Sequence, residues 1–80
     1  MKIIQGYILI REERHIDPKF WVSESLEQLL EIANEVRDYW IKEYEPEEID
    51  DQLYGDNLYF CSADDAFTIY IQPQEILINE

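Results

Sequence analysis

Carboxylates dominate the residues of this chain that can do chemistry. Nineteen Asp and Glu stand against six Lys and Arg, and the stretch EYEPEEIDDQLYGD, residues 43 to 56, holds seven acids in fourteen positions with no base. Carboxylates at this density can ligate a cation, move protons as a pair, or present negative charge to a basic surface. Each use demands its own spacing. A calcium loop of the EF-hand type needs oxygen ligands at alternate positions, Gly at the sixth and Glu at the twelfth. Counted from Asp50, those positions fall on Gln52, Tyr54, Gly55 and Cys61, so only the Asp and the Gly fit. Weak ion association aside, the spacing predicts no metal site and no cofactor.

Catalytic groups are scarce. His15 is the only histidine and stands in a charged connection, where a solvated side chain is the default. Cys61 falls within an apolar, strand-like run and reads as a small buried hydrophobe rather than a nucleophile. The pair Asp50-Asp51 can do acid–base work only inside a cleft, which eighty residues rarely build. Zinc-ligand spacing, a phosphate-cradling glycine loop and a basic aromatic patch are all missing from the sequence. A non-enzymatic protein is expected.

The third use of the carboxylates is the one the charge layout favours. Residues 1–42 carry eight acids and six bases, whereas residues 43–80 carry eleven acids and no base, giving a net charge of −13 overall. Such a surface repels nucleic acid and anionic lipid, so its natural partners are basic proteins or cations. One cysteine leaves no internal disulfide and suits a reducing compartment. The opening IIQGYILI is interrupted by Gln5 and followed at once by REERH, which fits neither a signal peptide nor a span of about 20 apolar residues. The expectation is one soluble, cytoplasmic α+β domain over residues 1–80.

The elements that must position the acids are legible in outline. Lys2–Glu12 alternates as a strand with Ile4, Ile8 and Ile10 on one face. Asp17-Pro18-Lys19 reads as a turn, and Phe20-Trp21-Val22 as a short returning strand. Ser25 to Gln28 forms a capping-box pattern, and Leu26, Leu29, Leu30, Ala33, Val36 and Trp40 recur at helical steps to about Lys42, with Ile32 and Tyr39 widening the arc. Pro46 ends that helix. The segment 43–56 reads mainly as loop, with a short helical turn at Glu47–Gln52 as the alternative, ended by Gly55. Leu58–Ser62 and Phe67–Gln72 read as strands joined through Ala63-Asp64-Asp65-Ala66. Pro73 is expected to break the second, leaving Ile76–Ile78 as a separate edge strand or a helical turn. The resulting fold is an antiparallel sheet of four or five strands with one long helix packed on one face, in the order ββαββ(β).

On that helix Glu27, Glu31, Glu35 and Asp38 fall within a sector about 80° wide, opposite the apolar arc. Like charges three and four residues apart cost a few tenths of a kcal/mol each, so the ridge does not serve helix stability. Glu43, Glu45, Glu47 and Glu48 extend it past the helix C-terminus, where the macrodipole already disfavours acids. Asp50 and Asp51 continue the run, and Tyr44 and Tyr54 stand within it as aromatic anchors. Asp64-Asp65 is expected at the opposite end of the sheet, either extending the band or standing apart from it.

The small size, the segment EYEPEEIDD, the Glu27–Asp38 ridge and the missing catalytic groups resemble, at the level of class, phage-encoded antagonists of bacterial defence or nucleic-acid enzymes. Anti-CRISPR, anti-restriction and glycosylase-inhibitor proteins are of this kind, and immunity proteins of toxins look much the same. The resemblance implies an inhibitor or sequestering protein that offers nucleic-acid-like charge to a basic, nucleic-acid-binding protein, acting as a monomer or homodimer without itself touching nucleic acid or membrane. It transfers no residue roles. Two plainer readings stand beside it: a merely solvated acidic face, and a structural or assembly module that pairs through a sheet edge such as Ile76–Ile78.

Overall fold

Two long strands carry the architecture. In the computed structural model, which describes residues 1–53 and 58–79, β1 (Lys2–Glu13) pairs antiparallel with β5 (Phe67–Ile78) from Lys2↔Ile78 to Glu13↔Phe67. Around them lie β2 (Ile16–Ser23), β3 (Ile49–Leu53) and β4 (Tyr59–Ala63), giving a five-stranded antiparallel sheet in the order β2-β1-β5-β4-β3. Among the described residues one helix, α1 (Leu26–Tyr44), connects β2 to β3. The fold is therefore α+β.

Directly opposed residues on neighbouring strands share a face, because side chains alternate along each strand. One face carries Leu9 of β1, Phe67, Ile69 and Ile71 of β5, and Tyr59, Cys61 and Ala63 of β4, all buried. The helix contributes Leu29, Ala33 and Trp40 to the same cluster. Trp40 stacks on Phe67 with ring centroids 4.8 Å apart, and the Tyr44 ring, tilted by 34°, also lies 4.8 Å from Trp40. Tyr39, placed on the apolar arc by periodicity, is instead exposed. Ile4, Ile8 and Ile10 do share a face, but it is the one opposite Leu9.

The helix begins where Ser25 accepts a hydrogen bond from the Gln28 N–H at 3.2 Å. The return half of the capping box is relayed: the Ser25 N–H donates to Ser23 Oγ, whose hydroxyl donates to Gln28 Oε1 at 2.7 Å. At the other end Glu45 takes a left-handed conformation and its N–H donates to Ile41 O, so the chain has left the helix before Pro46.

Three turn assignments need correction. The β1–β2 turn sits at Arg14-His15, with His15 at φ 67°, and Asp17-Pro18-Lys19 lies inside β2. Between Arg11↔Lys19 and Glu13↔Ile16, β2 carries one more residue than β1; a bulge on an edge strand is where a proline is tolerated. Pro73 does not break β5. Among the described residues that strand is paired only with β1 beyond Tyr59↔Ile71, and a strand with one paired side is where a proline is tolerated. Ile76–Ile78 is thus the continuation of a central strand. Glu47–Gln52 is not helical either, since Ile49–Leu53 pairs with β4 as a strand. Gly55 lies outside the described residues.

Gly6 allows a close approach. A side chain there would run into Ile76, which folds across it, and into the Ser23 carbonyl oxygen at 2.9 Å.

Candidate functional site: the acidic helix and loop

Helical periodicity places the ridge as expected. Glu27, Glu31, Glu35 and Asp38 are all exposed on α1, and a rise of 1.5 Å per residue spreads them over about 17 Å. Glu43 and Glu45 are exposed at the helix end. Tyr44 is 60% exposed, touches Trp40 in a tilted ring contact, and lines a small groove with Arg14, Ile16 and Ala66. Tyr54 lies outside the described residues.

The loop after the helix is tied down by a residue expected elsewhere. The Asp64 carboxylate accepts the backbone N–H of Glu48 at 2.8 Å and of Glu47 at 2.9 Å, while the Asp64 N–H donates to Glu48 O at 3.0 Å. The tip of the β4–β5 hairpin therefore belongs to the acidic loop rather than to the far end of the sheet. Asp64 and Asp65 both take left-handed backbone conformations, at φ 49° and 55°, and the Ala66 N–H donates to Ala63 O across them. This is the geometry of a tight hairpin turn of the primed kind, which Asp tolerates better than most residues. Glu48, Asp50, Asp64 and Asp65 line one hollow of about 370 Å³. Among the described residues, no group of three or more His, Cys, Asp or Glu is arranged to hold a metal ion.

Asp50 and Asp51 part company. Paired with Ser62 and Cys61 respectively, they point to opposite faces of the sheet. Asp50 joins the hollow, whereas Asp51 forms an ion pair with Arg37, which also meets Asp38 at 3.4 Å. Burial works against the Arg37 charge, but contact with the Cys61 thiol and the Asp51 carboxylate outweighs it and holds the guanidinium above its ordinary value. Arg37 is the only base between Lys19 and Lys42, and a lone cation among acids was a signal that it had a fixed partner. The partner itself is hidden in the sequence because its acid-rich segment reads as loop or a helical turn and not as a strand.

Beneath Arg37 the chemistry is quiet. Cys61 is buried, and burial pushes its thiol above the usual range. Tyr59 is likewise pushed up by burial, and its hydroxyl has no hydrogen-bond partner among the described residues. A thiol that resists ionisation is a poor nucleophile. No described helix is long and apolar enough to cross a membrane.

These features define an α+β protein whose distinguishing surface is a helix ridge and adjoining loop of exposed carboxylates. Comparison of the chain with family models, with curated proteins and with solved structures finds no match.

Proposed function

We propose that this protein is a non-enzymatic inhibitor or sequestering protein that docks its acidic helix and loop onto a basic protein surface, that of a nucleic-acid-binding enzyme. In this reading α1 lies along the Leu9 face of the sheet and turns its carboxylates outward. The observation that carries the proposal is the fixed continuation of the ridge into the loop. Four exposed acids on a rigid helix are followed by Glu47 and Glu48, whose backbone is clasped by Asp64.

A groove that binds nucleic acid is lined by Lys and Arg to neutralise one negative charge per about 3.4 Å of each strand. Carboxylates a helical turn apart, about 5–6 Å, sample the same groove at comparable spacing. Electrostatic steering speeds encounter, and Tyr44 supplies a rigid aromatic contact at the end of the ridge. The cytoplasm of a cell under phage attack, where defence enzymes of this type act, is the setting that the class resemblance favours. Arg37 and Asp51 neutralise each other and hold β3 to α1 in this arrangement.

The test is a pull-down from lysate at low and at high salt, with wild type and an E27Q/E31Q/E35Q variant. Wild type is expected to retain a basic nucleic-acid-binding protein at low salt and to release it to added DNA or RNA. The variant should lose that capture while its circular dichroism spectrum stays unchanged. Undiminished affinity in a folded variant would remove the ridge from the mechanism.

A further inference from the structure

The charge of this protein is not spread evenly over the sheet. On the face opposite Leu9, Phe20, Ile10, Tyr70 and Phe60 stand side by side across β2, β1, β5 and β4. Val22 and Ile8 form the next row with Gln72, and beyond Gly6 and Gln74 comes the pair Ile4 and Ile76. Phe20 is 54% and Val22 52% exposed, and the other apolar side chains are half-buried. Among the described residues, charged side chains reach this face only at its margins, as Lys2 at one end and Glu12 and Asp50 at the other. Glu12, which is exposed, accepts a hydrogen bond from the Tyr70 hydroxyl at 3.2 Å.

Charge points to one occupant. Among the described residues only β1 and β5 are paired beside Ile4 and Gly6, and β2, β1, β5 and β4 lie side by side on this face only at the Ile10 row, so at strand spacings of about 4.8 Å the patch spans about 250 Å² in projection. That suits a small, reversible interface, below the roughly 800 Å² per partner of a standard one. A two-fold interface sets each patch against itself, so like charges meet like. With a net charge of −13, only a face free of central charge can meet its own copy without repulsion. A basic partner, by contrast, gains nothing from a neutral surface.

We infer that a second copy of this chain covers the Phe20–Ile10–Tyr70–Phe60 face, forming a sheet-on-sheet homodimer with the sheets about 10 Å apart. The inference does not depend on the acidic ridge, which remains free on the outside of both copies.

Sedimentation equilibrium at 0.15 M and 1 M NaCl tests it. Wild type should sediment as a dimer and hold at least as tightly at high salt, because screening relieves the repulsion between copies. F20T/V22T keeps β-branched residues at two exposed edge-strand positions and should raise the dimer dissociation constant about a hundredfold. E27Q/E31Q/E35Q should leave the dimer intact, so loss of partner capture and loss of the dimer are read separately. Should the double variant unfold, V22K alone decides, with monomer expected. A wild-type monomer at about 100 µM in both salts, a dimer dispersed by salt, or a V22K dimer as tight as wild type would each overturn the inference.

Discussion

Replacing Asp64 by Ala sets two physical effects against each other, and the structure states which should win. Removing one carboxylate from a protein of net charge −13 relieves repulsion, which by itself favours folding. Against this, the Asp64 carboxylate accepts two backbone N–H groups, at 2.8 and 2.9 Å. Hydrogen bonds to a charged group contribute about 1.5–3 kcal/mol each when shielded. Here water reaches the site, so the pair together is worth about 2 kcal/mol. Ala is also poorer than Asp at φ 49°, which adds up to about 1 kcal/mol. The expected net loss is about 2 kcal/mol, or roughly 8–16 °C in Tm for a domain of this size. Asp64→Asn, which keeps the turn conformation and one good acceptor, should lose about half as much. Asp65→Gly should gain up to about 1 kcal/mol by removing left-handed strain at φ 55° while keeping the backbone carbonyl that accepts from Arg14. Thermal melts followed by circular dichroism in 0.15 M salt measure all three. A D64A protein as stable as wild type would mean that charge relief outweighs the clasp, and the loop would lose its anchor in the account given above.

Two further outcomes follow from the buried chemistry. Tyr59, Cys61 and Tyr70 are all pushed above their ordinary values, first by burial. The folded state therefore keeps protons that the unfolded chain releases from about pH 9–10. Stability should be full below that range and fall as pH rises through the folded values. Y59F removes a buried hydroxyl without a partner among the described residues, so it should match or exceed wild-type stability at pH 7 and lose less above pH 10. A steeper alkaline loss in Y59F would contradict this. Cys61 should resist iodoacetamide in the native protein and react at once in denaturant; rapid native labelling would show that the Cys61 face opens.

Which parts of this were legible in the sequence follows from how local their causes are. The helix was readable from Ser25, the apolar repeat and Pro46, all of which act within a few residues. The Ala63–Ala66 hairpin was readable from two Asp between alternating runs. Failures came where a distant partner overrides local preference. Pro73 reads as a breaker until β1 is seen to hold it from one side, and Asp50-Asp51 is a poor strand until β4 pairs with it. The acidic ridge was visible because it depends on period alone. The clasp by Asp64 was not, since it joins residues sixteen and seventeen apart through a strand pairing that no local pattern announces.

The pairing of β1 with β5 along their full length also sets the order in which this protein can be made. Each of the two outer hairpin units, β1–β2 and β4–β5, closes locally, but the seam between them joins Glu13 to Phe67 and Lys2 to Ile78. Contacts this distant along the chain slow folding, because loop closure must precede any return from them. During synthesis at about 5–20 residues per second, the β1–β2 hairpin waits roughly 3–10 s with its inner edge bare before β5 emerges. The strand that completes the sheet is the last to arrive, so a ribosome stalled within β5 would leave a nascent chain displaying an open, isoleucine-rich edge to every other strand within reach.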